Sequence, residues 1–244
     1  MGHYLKLFPA LAISCLGAIS SVAHAEIIIH GTRVVYPADA REVTMQVSNN
    51  GDKPSLVQAW IDSGDAKTTP DKSNAPFMIT PPIFRVEPNS SQALRIAALP
   101  TQALSSTQET VFWLNVLDIP PKVNSTVSET APDNFLQLAI RSRIKLFYRP
   151  AGLQGDANEA AAKLQWSLGG QNLRVKNPTP FHISMTAIYQ LKGEQKKDLL
   201  PQGLMLNPFE EKRIALADAA ASQFSFISIN DYGGRTEQKI TLQK

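Results

Sequence analysis

Hydrophobic and polar residues alternate along most of this chain with a period of two, the pattern of strands that bury one face. In "EVTMQVSN" (42–49), Val43, Met45 and Val47 alternate with Thr44, Gln46 and Ser48 before the turn signal Asn49-Asn50-Gly51-Asp52. "SLVQAWID" (55–62), "QALRIAAL" (92–99) and "TVFWLNVLDI" (110–119) follow the same plan. Helical periodicity is almost absent, so the first half predicts an all-β sandwich. Pro81-Pro82 and Pro120-Pro121 fall at strand ends, where a missing N–H does least harm.

The longest alternation is "FLQLAIRSRIKLFYRP" (135–150). Its even positions read Leu136, Leu138, Ile140, Ser142, Ile144 and Leu146, and its odd ones include Gln137, Arg141, Arg143 and Lys145. About fourteen residues would make a strand of roughly 46 Å at about 3.3 Å per residue, whereas ordinary strands have about five or six. The pattern therefore predicts a strand that outruns its domain, with an apolar row on one side. Ile140 and Lys145 differ in parity. If both meet one partner, a bulge or strong twist between 141 and 144 is expected.

At Pro150-Ala151-Gly152 the pattern breaks. "GDANEAAAKLQW" suits a helical turn, and a second set of strands follows in "NLRVKNPTPFHISMTAIYQL", "EKRIALA", "QFSFISIN" and "QKITLQ". The expected division is a leader over 1–25, a first domain over 26–150 and a second over 151–244.

Charge and composition narrow the function. Lys6, the apolar run "LFPALAISCLGAISSVA" and Ala23-His24-Ala25 read as a secretory signal peptide cut after Ala25. The run is too short for a membrane span, and Ala12-Ile13-Ser14 is a weak lipobox for Cys15. Cleavage removes the only cysteine, so the exported chain has no disulfide in a compartment that would allow one. It also removes Lys6 and no acidic residue, lowering the formal charge from +3 to +2. That balance, without a run of five or six like charges, does not argue for nucleic acid. His30 and His182 are the only histidines left, about 150 residues apart, which disfavours zinc. There is no Gly-rich phosphate loop and no Gly-x-Ser-x-Gly elbow. A binding module is expected, not an enzyme, with no cofactor and no membrane insertion.

Four segments in order carry a family resemblance: "GTRVVYPA" (31–38), "TVFWLNVLDIPP" (110–121), "LQLAIRSRIKLFYRP" (136–150) and "INDYGG" (229–234). Together they resemble the PapD-like periplasmic pilus chaperones of chaperone–usher systems. The resemblance implies two immunoglobulin-like β-sandwich domains arranged in an L. It implies a periplasmic protein that binds pilin subunits by donor-strand complementation, prevents their premature polymerisation and delivers them to an outer-membrane usher. Ser105 and Thr107 depart from the types usual before the sixth strand. The 121–134 connection is longer than in the shortest-loop members, and the cysteine pair of the long-loop branch is missing, which favours the short-loop type.

Residue roles follow from the same resemblance. Leu136, Leu138 and Ile140 would enter the subunit's groove, each contributing roughly 1.5–3 kcal/mol. Arg33 and Lys145 would bind the subunit's C-terminal carboxylate and so set the register of the added strand. Glu109, Arg149 and Asp231 would form an ionic network between the domains, orienting them more than stabilising them. An exposed apolar edge also favours self-association of the free protein. Two other readings compete. A fibre subunit or adhesin would be expected to carry its own complementing extension, and none is evident after Ala25. An enzyme would need a deep pocket with clustered perturbed titratable groups.

Overall fold

The computed structural model describes residues 27–100, 104–121 and 137–242. The signal peptide, and Leu136 of the expected donor row, lie outside these residues. Each half of the chain folds around its own core. The first core includes Val34, Tyr36, Val47, Leu94, Leu114 and Leu146, and the second includes Leu173, Val175, Ile188, Leu206, Phe224 and Phe226.

The first domain has nine strands: β1 (Ile27–Ile29), β2 (Arg33–Pro37), β3 (Val43–Asn49), β4 (Ser55–Asp62), β5 (Phe77–Thr80), β6 (Ile83–Val86), β7 (Ser90–Ala98), β8 (Thr110–Ile119) and β9 (Ile140–Arg149). They form two sheets, in the orders β1-β3-β7-β5 and β2-β9-β8-β4-β6. Alternation decides which side chains meet between them. Met45 and Val47 of β3 face Phe112, Leu114 and Val116 of β8 and Leu146 of β9 in one core.

Residues 27–37 serve both sheets. β1 pairs antiparallel with β3 in one sheet, and β2 pairs parallel with β9 in the other. The chain crosses at Gly31, whose φ of +149° and 3.2 Å clearance from Met45 Cε suit glycine. This crossing leaves part of β9 uncovered. β2 pairs with Lys145–Arg149, so among the described residues Ile140–Ile144 pair with β8 alone.

One expectation about β9 is corrected. The strand is ten residues long and begins at Ile140, not at Leu136. Its partner β8 ends at Ile119 and is followed by Pro120-Pro121, which have no N–H to extend a ladder. The Gln137 amide instead donates to the Pro120 and Pro121 carbonyls, at 2.8 and 3.2 Å. Nor does a bulge lie between 141 and 144: the pairing runs without a register shift from Ile140↔Asp118 to Tyr148↔Thr110. Ile140 and Lys145 do point to opposite faces.

After the 3-10 turn Ala160–Lys163, the second domain contains β10 (Gln165–Gly169), β11 (Asn172–Lys176), β12 (Ile183–Lys192), β13 (Gln195–Asp198), β14 (Leu204–Leu206), β15 (Glu211–Ala215), β16 (Gln223–Ile229) and β17 (Arg235–Thr241). Their sheets are β10-β11-β15 and β13-β12-β16-β17, with β14 also paired to β12. Asn177-Pro178-Thr179-Pro180 separates β11 from β12, and the Asn177 amide donates to the Phe181 and Asn207 carbonyls. Among the described residues no helix is long and apolar enough to cross a membrane.

Candidate functional site

The row of basic residues on the odd face of β9 divides by partner. Arg143 is opposite Asn115, and its guanidinium makes a two-pronged contact with Asp62, at 3.0 Å from Nε to Oδ2 and 2.6 Å from Nη2 to Oδ1. Asn115 Nδ2 donates a further bond to Asp62 Oδ2 at 2.7 Å. Burial opposes ionisation of Asp62, but the bonds from Arg143, Asn115 and the Gly64 N–H outweigh it and hold the carboxyl below its usual range. Arg141 donates to the Ala66 carbonyl at 2.7 Å. Both arginines therefore fasten the loop after β4 to the sheet.

Lys145 differs. Its Nζ donates to Ser184 Oγ of the second domain at 2.7 Å and lies 5.8 Å from the Trp113 ring. Arg33 stands directly across from it in the β2–β9 ladder. Arg33 Nη1 donates to the Ile229 carbonyl at 3.1 Å, while its buried Nε has no hydrogen-bond partner among the described residues. No ion pair of either residue is present among the described residues. Burial, then the neighbouring Arg33 charge, pushes the Lys145 ammonium down to about 8. Burial also lowers Arg33, against the pull of Asp231 and Glu109. Two partly desolvated cations side by side, with spare donors, can hold an anion; a carboxylate matches them in charge and size.

The structure brings Glu109, Arg149 and Asp231 together. Arg149 Nε donates to Glu109 Oε1 at 2.6 Å, and its two terminal nitrogens reach the Asp231 carboxylate at 2.7 and 3.0 Å. Glu109 Oε2 accepts the His182 N–H at 2.8 Å, and Glu109 N donates to the Pro180 carbonyl at 2.9 Å. Burial disfavours the Arg149 charge, but its hydrogen bonds to Asp231 and Glu109 and their negative charge more than offset this and raise its pKa. The cluster ties the ends of β8 and β9 to the start of β12 and to the turn after β16. His182 completes it, ring against Phe147 at 5.6 Å.

Leu138 and Ile140 are 60% and 58% exposed, two neighbouring aliphatic side chains at the end of β9 that β2 does not reach. They stand apart from Arg33 and Lys145 along β9 rather than in one pocket with them. Ser105, atypical by resemblance, accepts the N–H groups of Thr107 and Gln108 and shapes the turn before β8. Among the described residues no three His, Cys, Asp or Glu side chains are placed to hold a metal.

Sequence reasoning missed Asp62, Trp113, Ser184 and the Ile229 carbonyl. Trp113 was accessible in principle, since antiparallel pairing of β8 with β9 sets it opposite Lys145. Ser184 and Ile229 reach the site only through domain packing, which leaves no local trace.

Comparison with known proteins gives concordant matches across both domains. Residues 26–154 match the family described as pili and flagellar-assembly chaperone, PapD N-terminal domain, and residues 159–240 match the pili assembly chaperone PapD, C-terminal domain. The chaperone protein MrkB of Klebsiella pneumoniae is 44% identical over 227 residues, covering 92% of this chain and 95% of that protein. The crystal structure of the Pseudomonas aeruginosa CupB2 chaperone superimposes with a TM-score of 0.75 at 38% identity, covering 88% of this chain and 100% of that one. The Salmonella enterica SafB chaperone, solved in complex with the SafA pilin, gives a TM-score of 0.74 at 27% identity over 91% and 99% of the two chains.

Proposed function

This chain belongs to the PapD family of pilus-assembly chaperones, and from that premise we propose that it lends the free edge of β9 to a pilin subunit while Arg33 and Lys145 hold the subunit's terminal carboxylate. It is a chaperone of the chaperone–usher class. The observation that carries the finer reading is where the open edge stops. Among the described residues β9 is unpaired on one side over Ile140–Ile144, and β2 begins opposite Lys145. A guest strand on that edge must therefore end beside the two cations. Because a chain end that is a carboxylate suits them and an amine does not, the guest runs parallel to β9, as β2 does.

The parity of β9 fits this division. Ile144 and Leu146 face the first domain's own core, and Ile140 continues the same row beyond it. Leu138 and Ile140 would complete the guest's core, with Leu136 next in the row. Lys145, on the other face, meets the chain end. No bulge is required, because side chain and anchor contact different parts of the guest. The Glu109–Arg149–Asp231 brace would keep the second domain's Ser184 and Ile229 at the anchor.

The chaperone would act in the periplasm, delivering subunits to an outer-membrane usher. Exposed Leu138 and Ile140 beside an open edge also give two free copies a surface through which to pair. The test is co-purification with a pilin subunit encoded beside it. Arg33→Ala and Lys145→Ala should each abolish most of the complex while the chaperone stays folded; unchanged yield from both would rule out the anchor.

A further inference from the structure

Three other lysines hold acidic partners: Lys196 lies 2.8 Å from Glu237, Lys212 3.4 Å from Glu210 and Lys192 3.5 Å from Asp218. Lys145 has no acidic partner among the described residues. Its Nζ donates to Ser184 Oγ at 2.7 Å, and Arg33 stands across the ladder from it. Two conditions that make a lysine nucleophilic therefore meet at this residue. Burial desolvates the ammonium, and a neighbouring cation disfavours its charge. Burial is the larger effect and Arg33 the smaller, and together they bring the ammonium down to about 8.

The amine borders a recess of about 490 Å³ on the β8 side of β9, opposite the edge offered to a guest strand. The floor belongs to the second domain. Ser184 is paired with Met205 of β14 on one side and Ile229 of β16 on the other, so these three side chains stand in a row on one sheet face. Gly203, at φ +69°, brings the turn before β14 against this floor, and a Cβ there would stand 2.8 Å from the Met185 carbonyl oxygen. Only glycine permits that approach. Trp113 of the first domain lines the recess too, its ring 5.8 Å from Lys145 Nζ. An apolar cavity of roughly 150 Å³ is enough to hold benzene. The recess thus has room for a single aromatic ring on methionine, isoleucine and tryptophan surface, with a nucleophilic amine at its border.

We propose that Lys145 is a covalent capture site for small aromatic aldehydes, which form an imine with its side chain while the ring lies in the recess. The neutral amine attacks the carbonyl carbon. A C–N bond forms, the carbonyl π bond breaks and its electron pair goes to oxygen. One nitrogen proton passes to that oxygen, with the Ser184 hydroxyl in place to relay it. The second nitrogen proton leaves with the hydroxyl as water and the C=N bond closes, so neither oxidant nor reductant is needed. Trp113 and Met205 then hold the ring, and the flexible thioether adapts to its shape. An imine consumes the amine assigned above to the carboxylate anchor, but the capture site rests on the surroundings of Lys145 and not on that assignment.

The test treats the full exported chain near neutral pH with a low dose of 2-hydroxybenzaldehyde or of the linear aldehyde butanal. Cyanoborohydride traps the imine, and mass spectrometry maps the modified residues. An ordinary lysine is neutral in fewer than about one molecule in a thousand under these conditions, so the aromatic aldehyde should label Lys145 about tenfold or more faster than any other lysine. The α-amino group, with an ordinary pKa of about 8, is mapped separately. Dividing by the labelling of the other lysines removes the intrinsic reactivity of each reagent. On that scale the aromatic aldehyde should favour Lys145 several-fold over butanal, and Met205→Gln should shrink the preference, with urea unfolding confirming an intact fold. The pH profile gives a further reading: labelling at Lys145 should level off just above pH 8, while that of ordinary lysines climbs to about 10.4. Arg33→Gln should move the Lys145 plateau to higher pH. Labelling of Lys145 no faster than that of the other lysines would overturn the proposal. So would an equal normalised preference for the two aldehydes, or a preference untouched by Met205→Gln.

Discussion

Two arginine-centred clusters lie at the junction of the domains, and they use charge in opposite ways. Arg149 is enclosed by the carboxylates of Glu109 and Asp231, so each buried charge has its counterpart within 3.0 Å. Arg33 faces another cation, Lys145, and among the described residues their hydrogen bonds go to a carbonyl and a hydroxyl, not to a carboxylate. The first cluster is complete and acts as a brace. The second carries charge that folding alone does not neutralise, and such a surplus is stabilised only when an anion arrives. Desolvation is common to both, so the difference between the joint and the anchor proposed above comes from the supply of acid.

The sharpest way to break this comparison is to remove the centre of each cluster in turn. Arg149→Ala strands the buried Glu109 carboxylate and should cost about 3–5 kcal/mol of stability, read as a fall in the urea midpoint. Lys145→Met should leave that midpoint unchanged or raise it, because it removes a desolvated charge that lacks a partner. The same variant should weaken subunit binding by about 1.5–3 kcal/mol, roughly ten- to a hundredfold, in calorimetry or competition. A Lys145→Met protein as unstable as Arg149→Ala would erase the distinction.

pH sharpens it further. The free Lys145 ammonium titrates near 8, and a bound carboxylate raises that value. Binding should therefore be flat below pH 8 and weaken above it by up to about tenfold per unit, until the bound ammonium also loses its proton. Lys145→Arg should abolish this slope. The stability sign is opposite: the unfolded lysine holds its proton to about pH 10.4, so the burial penalty is complete below pH 8 and relieved between 8 and 10.4. Wild-type stability relative to Lys145→Met should rise across that window in urea titrations. The smallest effect is expected at Arg141, exposed and bonded to one carbonyl. Arg141→Ala should change stability by no more than about 0.5 kcal/mol and leave binding intact, marking it as part of neither cluster.

The strands with a clear apolar row were legible from sequence because burial on one face imposes a period of two. β3, β4, β8, β12 and β16 all lie where the alternation places them. The short strands were not. β13, Gln195–Asp198, is exposed throughout and has no buried row to read, and β14 is only three residues long. β5 and β6 flank Pro81-Pro82, where the prolines mask two brief strands as one turn. β9 was expected to be too long because periodicity records side-chain pattern, not whether a neighbouring strand supplies hydrogen bonds. At Pro120-Pro121 that supply ends.

By itself, the sequence determined an all-β, two-part chain and the residue types of its site: the apolar row ending in Ile140, and the bases Arg33 and Lys145. The apolar row follows from local alternation, and the two bases were singled out by the family resemblance of the short segments that hold them. Tertiary structure alone decided which bases are occupied. Arg143 is matched by Asp62, Arg149 by Glu109 and Asp231, while Lys145 donates to Ser184 and has no acidic partner among the described residues. The reason is physical: charge compensation depends on distances between strands remote in sequence, and no local pattern encodes them.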